Sequence, residues 1–224
     1  MSAEGLAVAA VALSIERIAY AAIWWRPERF RALYQRRAPG RTPVSALRQL
    51  FYAFKLIQGL VFLAWIAGHG AWLRAEGPEV WSSDPRALAL GAAMIAAGQV
   101  LNFGVFYRLG SVGVFYGNRF GYDVPWVRGF PFSVLAHPQY VGAVVSIWGL
   151  FLATRFPHGD WFSLPLLETL YYAVSARLES TAIPRADHCS RGDPVVECPP
   201  GGSDVACTLS GRVRLGHGHR VLPD

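Results

Sequence analysis

Apolar residues along this chain gather into five long runs, separated by polar connections rich in arginine. The first covers residues 6–25 and is interrupted by the charged pair Glu16 and Arg17. The second, 50–73, carries only Lys55, and the third, 87–107, has no charged residue. The fourth begins at Pro138 and reaches Thr154, and the fifth, 161–176, is shorter and includes Glu168. Runs of roughly 20 apolar residues match the hydrocarbon thickness of a bilayer. Lipid offers the backbone no hydrogen-bond partners, so such runs must satisfy their own and form helices. The pattern predicts an all-α fold, a polytopic transmembrane bundle of four to five helices. Four or five depends on the first run. Glu16 and Arg17 are costly in mid-membrane unless they face protein or water, and a first helix lying in the interface would leave four spans.

The connections carry their own signal. Between the first two runs, seven arginines from Arg26 to Arg48 are opposed only by Glu28. Between the second and third, Glu76, Glu79 and Asp84 outweigh Arg74 and Arg86. Between the third and fourth, Arg108, Arg119 and Arg128 stand against Asp123. Basic loops stay on the cytosolic side, which places the first and third connections there. With five crossings the N-terminus is then lumenal and the C-terminus cytosolic. Composition agrees: hydrophobic residues make up 53% of the 224 and charged ones 16%, with a mean hydropathy of +0.27. That excludes an ordinary water-soluble domain. The net charge of +6 would suggest nucleic acid on a soluble surface. Set beside apolar runs, it suggests the cytosolic face of a membrane instead.

Past Glu179 the character changes. Residues 181–224 are rich in Pro, Gly, Ser, Asp and Arg without sustained periodicity, and read as a disordered cytosolic tail behind a membrane domain at 1–180. The three cysteines, Cys189, Cys198 and Cys207, all fall there. Their odd count and spacing support neither a closed disulfide framework nor a zinc site. His188, His217 and His219 lie there too, and no metal is expected. Glu4 precedes the first apolar run where a cleavable signal would be basic, so no such signal is expected.

Three features bear on chemistry. Gly110, Gly113, Gly117 and Gly121 recur at three- and four-residue intervals, spacing that serves either close helix packing or a backbone cradle for a ligand. In the stretch from Phe130 to Gly142, Pro131 and Pro138 break helix while His137 and Tyr140 bring polar groups to the start of an apolar run. Pro138 is also ordinary helix-start grammar, and His137 alone is as well explained by the interface. Glu179 follows the last apolar run, where it either ends a span beside Arg177 or receives a cationic ligand.

The run GVFYGNRFGYDVPWVRGFPFSVLAHPQYVG, within a block from Ala87 to Glu179, resembles the phospholipid methyltransferase family, which includes phosphatidylethanolamine N-methyltransferases. The resemblance implies a phospholipid N-methyltransferase of the endoplasmic reticulum. It would use S-adenosylmethionine and no metal, acting on phosphatidylethanolamine or its mono- and dimethyl forms. It implies that Gly110, Gly113, Gly117, Gly121 and Glu179 bind S-adenosylmethionine. The family's second acid is replaced here by Ser180. A lipid amine is mostly protonated at neutral pH, so the site needs a base or desolvation to free its lone pair. His137 is the first choice of base, with Tyr140 positioning the head group and Asp123 as a second choice. Trp126, Tyr140 and Trp148 offer aromatic faces for the methylated cation. The family is also similar to isoprenylcysteine carboxyl methyltransferases and, more distantly, to sterol reductases sharing a His-Pro-x-Tyr element. Carboxyl methylation of a prenylated cysteine, or a non-enzymatic scaffold whose glycines pack helices, are the alternatives.

Overall fold

Within the described residues each of the five apolar runs folds as a helix, and the arginine-rich first connection contributes a sixth. The computed structural model describes residues 3–67, 81–124 and 127–181. The elements are α1 (Ala3–Trp25), α2 (Pro27–Arg37), α3 (Pro43–Ala67), α4 (Pro85–Val114), α5 (Pro138–Arg155) and α6 (Ser163–Thr181). A 3-10 turn, Gly117–Phe120, follows α4. No strand occurs among the described residues. The chain is thus an all-α bundle. The tail from 182 onward, with its cysteines and histidines, lies outside the described residues, as do Glu76, Glu79 and Trp126.

The unanticipated helix is α2. Its sequence PERFRALYQRR is polar and buries no residue, so hydropathy passes over it. The local grammar is nonetheless helical: Pro27 opens it, Glu28 sits in the first turn, and Arg36 and Arg37 sit in the last. Those charges complement the helix dipole at both ends.

Three helices are long and apolar enough to cross a membrane: α1, α3, and the stretch Pro85–Phe120 that contains α4. Their outward faces are apolar, with Val8, Ile18 and Phe103 each about two-thirds exposed or more (70%, 66% and 70%). A soluble bundle turns such residues inward, whereas a lipid-facing one does not. The chain is an integral membrane protein. At 18 and 19 residues, α5 and α6 are shorter, yet they run between the same two ends. At one end Ile23, Val44, Leu47, Phe115 and Phe120 form one apolar cluster, joining the end of α1, the start of α3 and the end of α4. At the other, the Ser82 amide donates to the Ala153 carbonyl at 2.7 Å, and Trp148 meets Trp161 at 5.6 Å.

Close packing of α4 on α5 rests on glycines other than the series noted above. A side chain at Gly98 would fall onto the Gly142 carbonyl and the Ser146 hydroxyl. A side chain at Gly91 would meet the Gly149 carbonyl at 2.6 Å, and the converse holds for Gly149 against Gly91. The two backbones touch along this seam, as small residues permit in membranes.

Glu16 and Arg17 face protein. Lys55 of α3 pairs with Glu16 at 3.0 Å, and Arg17 with Glu168 of α6 at 3.3 Å. Gln58 ties the two pairs together, accepting from Lys55 at 2.9 Å and donating to Glu168 at 2.6 Å. Arg17 also lies over the Tyr172 ring at 3.8 Å. Two cations and two carboxylates thereby neutralise one another inside the bundle, which is how charge is tolerated there.

Candidate functional site

The site begins with a break in α4. Gly110 adopts φ 60° and ψ −175°, a conformation open essentially to glycine alone. The helix resumes for one short stretch and ends with Tyr116 in the left-handed region, at φ 55°. The 3-10 turn then closes at Gly121, φ 85°, where the Tyr122 amide donates to the Gly117 carbonyl at 3.0 Å. This turn carries the Tyr116 hydroxyl to α6, where it donates to Glu179 Oε1 at 2.6 Å. From the start of α5, the Tyr140 hydroxyl donates to the same oxygen at 2.5 Å. Both bonds end on Oε1, which leaves Oε2 for a ligand. A carboxylate that accepts from two phenols is fixed in place.

His137 precedes α5 and stacks on Tyr140, with ring centroids 5.8 Å apart. Its Nε2 is 3.1 Å from the Ser180 hydroxyl. That hydroxyl donates its one proton to the Ala176 carbonyl at 2.8 Å. Ser180 must therefore accept from His137, which puts the proton of neutral His137 on Nε2 and leaves Nδ1 with the lone pair.

These groups surround a cavity of about 200 Å³ lined by His137, Tyr140, Glu179, Tyr116, Gly113 and Trp24, among others. The Trp24 indole N–H is buried there with no acceptor. Arg119 holds this corner together, donating to the Trp24 carbonyl at 2.6 Å and lying over its ring at 4.4 Å. Trp24 in turn meets Tyr116 edge-on at 5.1 Å.

Of the residues anticipated from sequence, the fold gathers His137, Tyr140, Gly113 and Glu179 around one space. The other three glycines line neither this cavity nor its neighbour. Gly110 and Gly121 serve the chain's path through positive φ, and Gly117 is packed against the backbone of Val112. Asp123 is exposed and Trp148 donates to Thr169 at 3.0 Å; neither borders the cavity. Tyr116 and Trp24 were not anticipated. Tyr116 sits inside the glycine series, where its backbone conformation rather than its spacing brings it to Glu179. Nothing in the first apolar run singles out Trp24.

A second cavity, of about 370 Å³, shares Val114, Tyr116, Gln139 and Tyr140 with the first and opens toward α1 and α3. It is bordered by Glu16, Arg17, Tyr20, Lys55 and Gln58.

Comparison with known proteins bears on the same stretch. Residues 87–185 match the model of the phospholipid methyltransferase family. Over 93 residues the chain is 43% identical to a phosphatidyl-N-methylethanolamine N-methyltransferase of Arabidopsis thaliana, covering 42% of this chain and 53% of that protein. It is 35% identical over 104 residues to the human phosphatidylethanolamine N-methyltransferase, covering 46% and 51%. A Saccharomyces cerevisiae phosphatidyl-N-methylethanolamine N-methyltransferase is 39% identical over 71 residues, covering 31% and 34%. The chain therefore spans about half, or less, of the length of these curated relatives. No solved structure matches it. All the anticipated site residues fall within the matched stretch, whereas Trp24 and the charged residues of α1 and α3 fall outside it.

Proposed function

We propose that this chain, whose residues 87–185 match the model of the phospholipid methyltransferase family, is a membrane-embedded phospholipid N-methyltransferase. It moves methyl groups from S-adenosylmethionine to phosphatidylethanolamine or its mono- and dimethyl forms. The observation that carries this is the Glu179 carboxylate held by Tyr116 and Tyr140 in a cavity bordered by His137. The matched relatives bear phospholipid N-methyltransferase names, so prenylcysteine carboxyl methylation and a bare scaffold are not favoured.

The residues present fit the cosubstrate. Its ammonium group needs an anionic acceptor, which Glu179 Oε2 provides. Its carboxylate needs a donor, and the Trp24 indole N–H is a buried donor lacking an acceptor. When bound, S-adenosylmethionine supplies a methyl group on a sulfonium centre, and the bonding pair stays on sulfur as the acceptor nitrogen takes the methyl. The chain's part is alignment and proton removal. Gly113, without a side chain, leaves room along the cavity wall. Neutral His137 takes the proton of the acceptor ammonium at Nδ1, freeing the nitrogen lone pair, while Ser180 holds the ring by Nε2. The phenol of Tyr140, on the wall common to both cavities, holds the acceptor apart from Glu179.

The arginine-rich connections support a cytosolic position for this end of the bundle, where the cosubstrate is dissolved, and the proposed membrane is the endoplasmic reticulum. Residues 1–180 carry the activity, with the tail dispensable. The test is transfer of label from S-adenosylmethionine in membranes expressing the full chain. Phosphatidylethanolamine and its mono- and dimethyl forms are offered separately, with a chain ending at residue 182 in parallel. Label in the phospholipid fraction from both chains is expected. No label with any acceptor, from protein shown to be folded, would sink the proposal.

A further inference from the structure

The larger cavity is bordered by polar residues that the scheme above leaves unused. Arg17 Nε and the Tyr20 hydroxyl belong to residues bordering it, and both are buried without an acceptor. A buried donor left unpaired costs about 1–3 kcal/mol, so two in one wall mark a place where an acceptor is missing. Lys55, whose side chain is 30% exposed, brings an ammonium group to the same space. The surrounding charge is balanced, since Glu16 and Glu168 offset Lys55 and Arg17. A ligand bearing only negative charge would upset that balance. A zwitterionic head group would not.

Distances link this wall to the methyl-transfer cavity. The Tyr20 ring meets Tyr116 at 6.1 Å, and Tyr116 donates to Glu179. On the other side Arg17 lies over Tyr172, which meets Tyr140 at 5.4 Å. The unpaired donors thus stand one aromatic ring away from the two tyrosines that border both cavities. That is the length scale of the few bonds separating phosphorus from nitrogen in an aminoethyl phosphodiester.

We propose that the larger cavity seats the lipid head group, with its phosphodiester oxygens on Arg17 Nε, the Tyr20 hydroxyl and Lys55 and its amine directed to the wall formed by Tyr116 and Tyr140. The proposal rests on the methyl-transfer function above, and assigns the phosphate end to residues outside the family-matched stretch. The head group enters sideways from the leaflet. The phosphate end stays fixed while the amine gains methyl groups, so the same contacts serve every acceptor.

Tyr20→Phe is the principal test, because it keeps the ring and removes only the hydroxyl. Arg17→Gln is a second variant, checked first by thermal unfolding because it unpairs Glu168. Binding of a short-chain phosphatidyl-N-methylethanolamine to detergent-solubilised full chain is followed by native mass spectrometry. N-methyldodecylamine, which has the amine but no phosphate, is measured alongside. In Tyr20→Phe, affinity for the phospholipid is expected to fall about tenfold, the scale of one hydrogen bond to a charged group. Binding of the alkylamine and of S-adenosylmethionine stays as in the original chain. Unchanged phospholipid affinity in Tyr20→Phe, or an equal loss for the alkylamine, overturns the assignment. Turnover in the same samples separates the two ideas. Phospholipid binding that depends on Tyr20 without methyl transfer would leave the seat standing and sink the methyltransferase function.

Discussion

Glu179 concentrates more of the chemistry than any other side chain. Two phenols donate to one of its oxygens, so its position depends on α4 and α5 as much as on its own helix. Replacing it with Gln keeps the shape but removes the charge proposed to meet the cosubstrate's ammonium. Glu179→Gln is expected to weaken S-adenosylmethionine binding at least tenfold by calorimetry, since a hydrogen bond to a charged group contributes about 1.5–3 kcal/mol. Tyr140→Phe should produce a smaller loss, because Tyr116 still holds the carboxylate. If both variants bind as the original chain does, Glu179 is structural. Side chains of this kind were partly visible in the sequence. His137, Tyr140 and Glu179 lie at the boundaries of apolar runs, and polar groups at such places are conspicuous. Tyr116 was not visible, because the left-handed backbone that aims it is a property of the fold.

At the scale of elements, glycine has two separate uses in α4. Gly91 and Gly98 let α5 come into backbone contact, whereas Gly110 lets the helix turn. The regular spacing from Gly110 onward drew attention to the wrong packing set, since the seam glycines are scattered through runs that hydropathy treats as uniform. Substitutions should separate the two uses. Gly98→Val drives a side chain into the Gly142 carbonyl and is expected to cost about 3 kcal/mol or more, read as lost thermal stability in detergent. Gly110→Ala meets no neighbour and strains only the backbone, by about 1–3 kcal/mol. Its main effect is expected on cosubstrate affinity, because the break at Gly110 directs Tyr116 to Glu179. A Gly110→Ala protein with unaltered affinity would show that the break has no part in the site. The helices themselves were legible from apolar run length, and α2 was not, because it buries nothing.

Across the whole molecule, charge organises both ends and the middle. The basic α2 and the Arg119 corner lie at the site end, and Arg155 pairs with Asp160 at 2.8 Å at the other. On a cysteine-free background, Arg36→Cys is expected to react with an impermeant maleimide from the cytosolic side, and Gly159→Cys only from the opposite side. Labelling of both from one side would contradict the topology. In the middle, breaking one partner of a buried pair costs about 3–5 kcal/mol, while removing both is far cheaper. Glu168→Leu should therefore unfold at markedly lower temperature, and Arg17→Met combined with Glu168→Leu should recover much of the loss. Failure of the double variant to recover would mean that Arg17 is stabilised by Glu16 and Tyr172 alone.

The Arg17–Glu168 contact also sets a schedule for synthesis. The two residues are 151 positions apart, near opposite ends of the described residues. At roughly 5–20 residues per second, Glu168 emerges from the ribosome on the order of ten to thirty seconds after Arg17. Over that interval α1 has Lys55 to pair with Glu16, while its guanidinium has only Glu16 nearby and lacks both Glu168 and the Tyr172 ring. Lipid is a costly place for a charge so incompletely paired, which favours holding the nascent first helix against protein or water until the last helix arrives.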